Sequence, residues 1–525
     1  MKSRKFSCIT AMTLFAGLAT SIRTDAQKPK GPHAEHHRYK FVDVGTFGGS
    51  VNYLTNDNTG TGSASGVVNG RGTVVSGAET SVLDLNFPNV CLLCPTDPLI
   101  VHAFAWHDGV LTDLGALPGV NTSVANWISA NGLIAGISEN GLIDPLLGVP
   151  EVRAVFWKDG EVIDLGTLEG GFESAASAVN SRGQVAGTFL NTVPDPFSPF
   201  GPAGTEVHAF LWESGVMKDL GTLGGPETVA YFVNERGQVV GTSFTSPTAN
   251  PASGLPTLDP FLWENGKMLD LGTLGGTSGT PNGLNNRGQV VGLSNLAGDQ
   301  TAHPFLWTKS GGIQDIGTLG GIFGQANWIS EAGEIVGLAN IPGDQAFFAF
   351  LWKEGVLTNL GAVDRDACSV AWGINSQSQV VGVSAKTCAF AAADRHAFLW
   401  DGGNMIDLNS FLPPGAALQQ LTDAYNINDR GEIVGLGVPP GCDDEFACGR
   451  IFVLIPCDDN HPSVDGCDYS LVDGNAAATG SAMPTTQTAT TAKPVLSPDA
   501  IRQLMQAAGR RSKPWYRGFG AQPPK

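Results

Sequence analysis

The chain has 525 residues, of which 69 are glycine and 32 proline, with 42% hydrophobic and only 15% charged residues. Such a turn-dense composition argues against a helical bundle, and the apolar fraction is ample for one large core. A formal net charge of −19 argues against nucleic acid or an anionic membrane surface as partner.

The first 26 residues read as a signal peptide. Lys2, Arg4 and Lys5 precede an apolar stretch over 6–19, and Thr24-Asp25-Ala26 offers small residues at a cleavage point before Gln27. That stretch is shorter than the ~20 residues a spanning helix needs. The expectation is an exported protein, extracellular or periplasmic, with no integral membrane segment after signal cleavage. Residues 27–38, with His33, His36 and His37, read as a disordered mature N-terminus able to bind a metal only weakly.

From residue 39 to 456 the chain repeats itself. One unit reads Phe261-Leu-Trp-Glu-Asn-Gly-Lys-Met-Leu-Asp-Leu-Gly-Thr-Leu-Gly-Gly276, followed by Gly283-Leu-Asn-Asn-Arg-Gly-Gln-Val-Val-Gly292. The tryptophan returns at Trp106, Trp157, Trp212, Trp263, Trp307, Trp352 and Trp400, in steps of 51, 55, 51, 44, 45 and 48 residues. The Asp-Leu-Gly phrase is anchored at Asp43, Asp113, Asp164, Asp219, Asp270, Asp315, Asn359 and Asp407. The last phrase is anchored at Gly77, Gly136, Gly187, Gly241, Gly292, Gly337, Gly382 and Gly435. A period of this length belongs to propellers and solenoids.

Each unit predicts four short strands: the Ala-Phe-Leu-Trp segment, an alternating segment such as 267–271, a small-residue segment such as 174–179, and one such as 238–241. Asx-Gly and Asn-x-x-Gly turns separate them. Four antiparallel strands make one propeller blade. The array starts in mid-unit at Phe41-Val-Asp-Val-Gly45 and ends on Ile451-Phe-Val-Leu-Ile455, two halves that complete each other. Pairing 41–46 with 451–455 closes a ring and removes two free sheet edges. The fold expected is therefore all-β, an eight-bladed β-propeller of four-stranded antiparallel blades.

Eight cysteines follow Cys8 of the signal, in close couples: Cys91 with Cys94, Cys368 with Cys388, Cys442 with Cys448, and Cys457 with Cys467. Local pairs in an exported protein predict loop-closing disulfides, and Cys91-Leu-Leu-Cys94 lacks the second half a zinc site requires. Residues 457–472 form a cysteine-stapled loop, 473–496 an Ala/Thr/Pro-rich linker, and 497–525 a short helix with a basic tail.

These phrases resemble the extracellular repeat family named for its His-Ala-Phe motif. His208-Ala-Phe-Leu-Trp212 and His396-Ala-Phe-Leu-Trp400 carry the motif in full, and Asp270-Leu-Gly-Thr-Leu-Gly-Gly276 supplies the companion phrase. The resemblance spans about residues 40–456 and implies a bacterial extracellular protein. It implies no reaction or ligand. Asp259-Pro260 and Phe348 depart from the histidine of the motif, and Ser378 from the turn glycine.

In a meander the two tight turns of each unit share one face, and the Gly-Gly crossings and long variable loops share the other. Binding is expected on that loop-rich face, with Phe189, Phe197, Phe200, Leu92 and Leu93 as candidate contacts. No catalytic residue and no metal ligand is assigned. His102, His208, His303 and His396 sit in different blades, too dispersed for one ion, and are expected to pack beside the tryptophans. The repeated aspartates are expected to accept backbone hydrogen bonds at strand ends. No cofactor is expected; the oxygen-rich runs Asn56-Asp-Asn-Thr-Gly60 and Asp458-Asp-Asn460 leave calcium open. The functional expectation is a monomeric, non-enzymatic binding and interaction scaffold for a glycan, peptide or surface protein. The alternative is an extracellular polysaccharide hydrolase or lyase on the same propeller.

Overall fold

A computed structural model describes residues 39–54, 66–87, 98–146, 148–195, 198, 205–250, 256–442, 445–462, 464–465 and 467. The signal peptide, the mature N-terminus with its histidines, the run 56–60, the linker and the basic tail lie outside the described residues. So do Cys91, Cys94, Leu92, Leu93, Phe197 and Phe200.

The described chain is all-β apart from two 3-10 turns and the short helix Glu445–Cys448. Its strands form six four-stranded sheets and one eight-stranded sheet. The four-stranded sheets span 48–113, 123–164, 174–219, 324–361 and 368–407, and the sixth joins 420–456 to 39–43. In the eight-stranded sheet, the sets 228–270 and 275–315 are linked by one parallel pair, Leu258 with Ser278. Within every set the strands pair antiparallel in chain order, which is the β-propeller arrangement.

A sheet does not coincide with one sequence unit. The small-residue strand comes first in its sheet, and the Ala-Phe-Leu-Trp strand of the next unit comes third, as in Ser174–Val179 and Thr205–Glu213. The blade boundary therefore falls at the Gly-Gly crossing. First strands such as Ser174–Val179 and Cys368–Ile374 are buried along their whole length, and first strands of neighbouring sheets touch, as Ser174–Val179 does with 123–128 and 228–233. Fourth strands such as Val110–Asp113 face solvent. The innermost strand is thus the small-residue one.

Ring closure follows the expected pairing with a small shift in bounds. Tyr39–Asp43 lies antiparallel to Arg450–Pro456, with Tyr39 opposite Pro456 and Asp43 opposite Phe452. Val44 N–H donates to Ile451 O at 3.1 Å, and Arg450 Nη2 meets Asp43 Oδ1 at 3.1 Å.

Two local rules shape each sheet. First, the second-strand glycine faces a β-bulge in the first strand. A Cβ on Gly187, Gly292, Gly337 or Gly435 would lie 2.0 Å from the carbonyl oxygen of Ala175, Thr280, Gln325 or Asp423. The ring of the motif phenylalanine fills the adjoining space, and Phe104, Phe210, Phe261, Phe305, Phe350, Phe398 and Phe452 are all fully buried. Each such ring contributes about 1.5–3 kcal/mol through burial. In the first sheet the residue opposite Phe104 is Ser76, one place before the anchor Gly77, and Gly77 faces Ala103 instead. Second, the hairpins between third and fourth strands carry two positive φ values, as at Asn265 (52°) and Gly266 (82°). That is the type I′ turn, whose twist matches a hairpin.

The Asn-x-x-Gly turns do more than reverse the chain. Asn234 Oδ1 accepts the backbone N–H groups of Arg236 and Gln238, each at 3.0 Å. Its Nδ2 donates to Asn285 O in the next set of strands at 3.0 Å. The same reach joins Asn180 to Asn234, Asn285 to Ser330, Asn375 to Asn428, Asn428 to Asn69 and Asn69 to Ser129. Where Ser330 replaces the asparagine, Glu334 bonds Ser378 of the next sheet at 2.8 Å.

Three disulfides join the expected couples, Cys368–Cys388, Cys442–Cys448 and Cys457–Cys467. The last closes a loop that buries His461 between Asp458 (Nδ1, 2.7 Å) and Glu432 (Nε2, 3.2 Å). Asp458 Oδ1 also accepts the N–H groups of Asn460 and His461, so this run is committed to its own loop.

Two outcomes test this construction. Gly292→Ala places a methyl where a carbonyl sits, so its stability should fall by about 3 kcal/mol, the upper end of overpacking penalties, read as a lowered urea midpoint. Burial opposes protonation of His461, but its bonds to Glu432 and Asp458 outweigh that and raise its pKa. The stabilisation is complete below the unfolded value near 6.5 and is lost as pH rises through the folded value. Thermal melts of His461→Gln should therefore fall furthest below those of the unaltered protein in mildly acidic buffer, and the gap should close toward alkaline pH.

Candidate functional site

The Asn turns and type I′ turns occupy one face, so chemical variety collects on the other, where second strands pass to third. In the first three sheets these connections project, and Leu83, Leu142, Ile143 and Val193 are exposed along them. Phe189 is not presented there. It is fully buried in Val185–Pro194, edge-on to His208 at 5.8 Å. Its expected loop contact becomes an internal one.

At the outer rim of this face the motif histidine meets the Asp-Leu-Gly aspartate. His102 bonds Asp113 at 2.9 Å, His208 bonds Asp219 at 3.0 Å and His303 bonds Asp315 at 2.8 Å. His396 takes Asp366 at 2.8 Å, because Asp407 caps a 3-10 turn. Each of these histidines thus meets a carboxylate. Each aspartate also accepts the N–H two residues on, at 2.7 Å from Gly115, Gly221 and Gly317. Burial opposes ionisation of Asp113, Asp219 and Asp315, but those two bonds hold all three below the usual carboxylate range.

The departures from the motif are compensated in place. Phe348 removes the cation, and its partner position is Asn359, which needs none. Asp259 instead faces Asp270 carboxyl to carboxyl, and burial together with that charge pushes Asp259 up to about 7. Such a pair stabilises the fold only while protonated, so the contribution fades as pH rises through that value. Asp259→His should rebuild the ion pair and raise the melting temperature more at pH 8 than at pH 5; an equal change at both would contradict the shared proton.

His208 differs from its equivalents in having two carboxylates. Asp219 holds Nδ1, and Glu206 Oε2 lies 3.6 Å from Nε2. Burial disfavours the imidazolium, yet Asp219 and Glu206 outweigh it and raise the pKa. The ring remains partly open, with 14% side-chain exposure. Behind it lies Glu227, fully buried, with Oε1 bonded by Ser198 and Oε2 without a partner. Burial pushes Glu227 up to about 8, and Asp195 and Glu206 add to the rise.

Two related acid pairs stand in the preceding sheets. Burial and the neighbouring Asp84 push Glu139 up to about 7; burial, Asp144 and Glu151 push Glu173 up to about 9. Asp84, Asp144 and Asp195 each follow a second strand, and each faces a glutamate of the next sheet. Sequence reasoning missed this set. The signal was the recurrence of Ile143-Asp144-Pro145 and Pro194-Asp195-Pro196, with Glu173 and Glu227 each one residue before a first strand.

Rings from three alternate first strands meet at the centre. Trp127 lies 5.9 Å from Phe232, and Phe232 lies 5.8 Å from Trp328. Reactive groups therefore gather on the long-connection face rather than along the axis. Among the described residues no group of three or more His, Cys, Asp or Glu side chains is arranged to hold a metal ion, and no helix is long and apolar enough to cross a membrane.

No family model and no curated protein matches the chain. Among solved structures it is similar to the β-propeller domain of the trilobed protease from Pyrococcus furiosus. The TM-score is 0.38 and the identity 11%, over 66% of this chain and 97% of that one. It is also similar to the acylaminoacyl peptidase of Pyrococcus horikoshii (TM-score 0.38, 12% identity, 71% of this chain, 56% of that one). Dipeptidyl peptidase 4 of Porphyromonas gingivalis gives a TM-score of 0.40 at 10% identity, over 63% of this chain and 50% of that one. The chain thus spans about half the length of the last two. Because the solved structures it resembles are propellers of peptidases, the expectation of a non-enzymatic binding scaffold is withdrawn. At these scores no peptidase activity passes to this chain.

Proposed function

We propose that the chain is an exported, eight-bladed member of the His-Ala-Phe repeat proteins that hydrolyses a neutral polysaccharide, with His208 as general acid. The blade count rests on the eight-stranded sheet, whose two sets of four share one residue pair and repeat the strand order of every other sheet. Three disulfides suit an oxidising compartment.

The observation that carries the activity is the His208 imidazole clamped between Asp219 and Glu206 on the long-connection face. A raised pKa keeps the ring protonated to higher pH than a free imidazole, which suits an acid that protonates a leaving oxygen. As the glycosidic C–O bond breaks, His208 gives its proton to the departing oxygen. Water then adds to the anomeric carbon and its proton returns to the imidazole, so the enzyme is unchanged. Positive charge develops on the sugar in that step. The carboxylates Glu206 and Asp219 favour such a cation and disfavour an anionic substrate. Amide cleavage would need an activated nucleophile or metal-bound water, and the described neighbours of His208 supply neither.

Release of reducing ends from a panel of neutral polysaccharides tests the reading. His208→Asn should lower turnover roughly 10²–10⁴-fold while the protein remains folded at the assay temperature. The rate should fall as pH rises through the His208 pKa. No release from any neutral polysaccharide, or an asparagine variant as fast as the unaltered protein, would sink the assignment.

A further inference from the structure

Two of the projecting hairpins are tied to the sheet that follows them through carboxyl groups. Asp144 follows the strand Ile134–Ile143, and its Oδ1 accepts the Leu146 N–H at 2.6 Å, which caps the connection 144–149. The same cap stands after Val74–Leu83, where Asp84 Oδ1 accepts the Asn86 N–H at 2.8 Å. Each capping aspartate meets one buried glutamate of the next sheet. Glu173, 0% exposed, hydrogen-bonds the Asp144 side chain, and its Oε2 accepts the Val152 N–H at 2.7 Å. Glu139, 1% exposed, neighbours Asp84, and its Oε2 accepts the Thr122 N–H at 2.9 Å.

Two carboxyl groups bond each other only where one carries a proton, because ionised carboxylates are acceptors alone. No donor of another residue reaches Glu173 Oε1. The charged groups around Glu173 are Asp144 and Glu151, and Glu151 is met by Arg153 at 2.8 Å and Asn140 at 2.7 Å. Burial, with Asp144 and Glu151, pushes Glu173 up to about 9 against its bond from Val152. Burial and Asp84 push Glu139 up to about 7 against its bond from Thr122. We propose that protons held by Glu173 and Glu139 latch the hairpins 134–158 and 74–107 to the sheets that follow, and that their loss at rising pH releases both hairpin ends. Once the proton leaves, two buried carboxylates confront each other at each seam. The capped ends, edged by the exposed Leu83, Leu142 and Ile143, are the parts that lift away. The latch uses neither His208 nor Glu227, so it stands apart from the proposed hydrolysis.

The test is hydrogen exchange of the full chain from pH 5 to pH 10, read peptide by peptide by mass spectrometry and corrected for the intrinsic exchange rate. A glutamate freed by opening ionises near its ordinary value of 4.5. Closure is therefore favoured most below that pH and loses its advantage as pH rises to the folded value. Protection of 140–146 should fall by up to about tenfold per pH unit and level off at about 9, whereas that of 80–87 should level off at about 7. Residues 335–340, in a sheet with a short connection, should keep their protection throughout. Glu173→Gln donates to Asp144 and accepts from Val152 at every pH. In that variant 140–146 should lose its pH dependence while 80–87 keeps it, and Glu139→Gln should do the reverse. Protection that stays constant from pH 5 to pH 10 at either hairpin of the unaltered protein would overturn the latch. So would a pH dependence that survives in the matching glutamine variant.

Discussion

The structure hangs on one side-chain amide used twice. At each Asn-x-x-Gly turn the asparagine oxygen caps its own reversal, and its nitrogen bonds the matching carbonyl of the next sheet. The link from Asn428 to Asn69 spans 359 positions of sequence and makes the relay circular. Each bond is worth only about 1 kcal/mol net, but a ring of them sets the angle between sheets. A second set of bonds does the same deeper down. Asn126, Ser177, Asn282 and Asn327 reach carbonyls of the following first strand at 2.8–3.0 Å. A sheet that tilted would break both.

That constraint explains the division of the molecule into a conserved-geometry face and a divergent one. Turns that carry the relay cannot lengthen without breaking it. Among the described residues the opposite connections carry no such repeating bond, and they are long in some sheets and short in others. Their length in 48–270 is what buries carboxylates between sheets, because a projecting hairpin covers the groups at its base. In 275–361 the connections are short, and the acids there, Asp299 and Asp344, instead accept backbone N–H groups of Thr277 and Ile322. Local polarity follows from loop length.

The histidine motif shows a similar economy. A cation on the third strand and an aspartate on the fourth form one rim contact, filled by His208–Asp219 in one sheet and Arg450–Asp43 at the closure. Phe348 opposite Asn359 makes the contact neutral, and Asp259 opposite Asp270 makes it a shared proton. A ring of equivalent positions tolerates such exchange because each contact is local to its sheet. The copies still differ in detail: among the histidine copies, only His208 has a second carboxylate, Glu206, beside it, and the same offset recurs in the Arg153–Glu151 pair.

Much of this was legible from residues alone. Strand identity, the turn types, the closing pair (expected at 41–46 with 451–455, found at 39–43 with 450–456) and three disulfide couples were all written in recurring phrases. Such features depend on neighbours in sequence or on an exact repeat, and a repeat displays its own period. The tertiary structure alone decided the rest: that small-residue strands are innermost, that blades begin at the Gly-Gly crossing, and that Phe189 is internal. It also decided which acids meet. Asp144 and Glu173, or Asp195 and Glu227, lie in different units, and nothing in either unit states the distance across a seam. The sequence determined each sheet because hydrogen-bonded periodicity is local; the structure determined the charge between sheets because burial depends on every loop that folds over it.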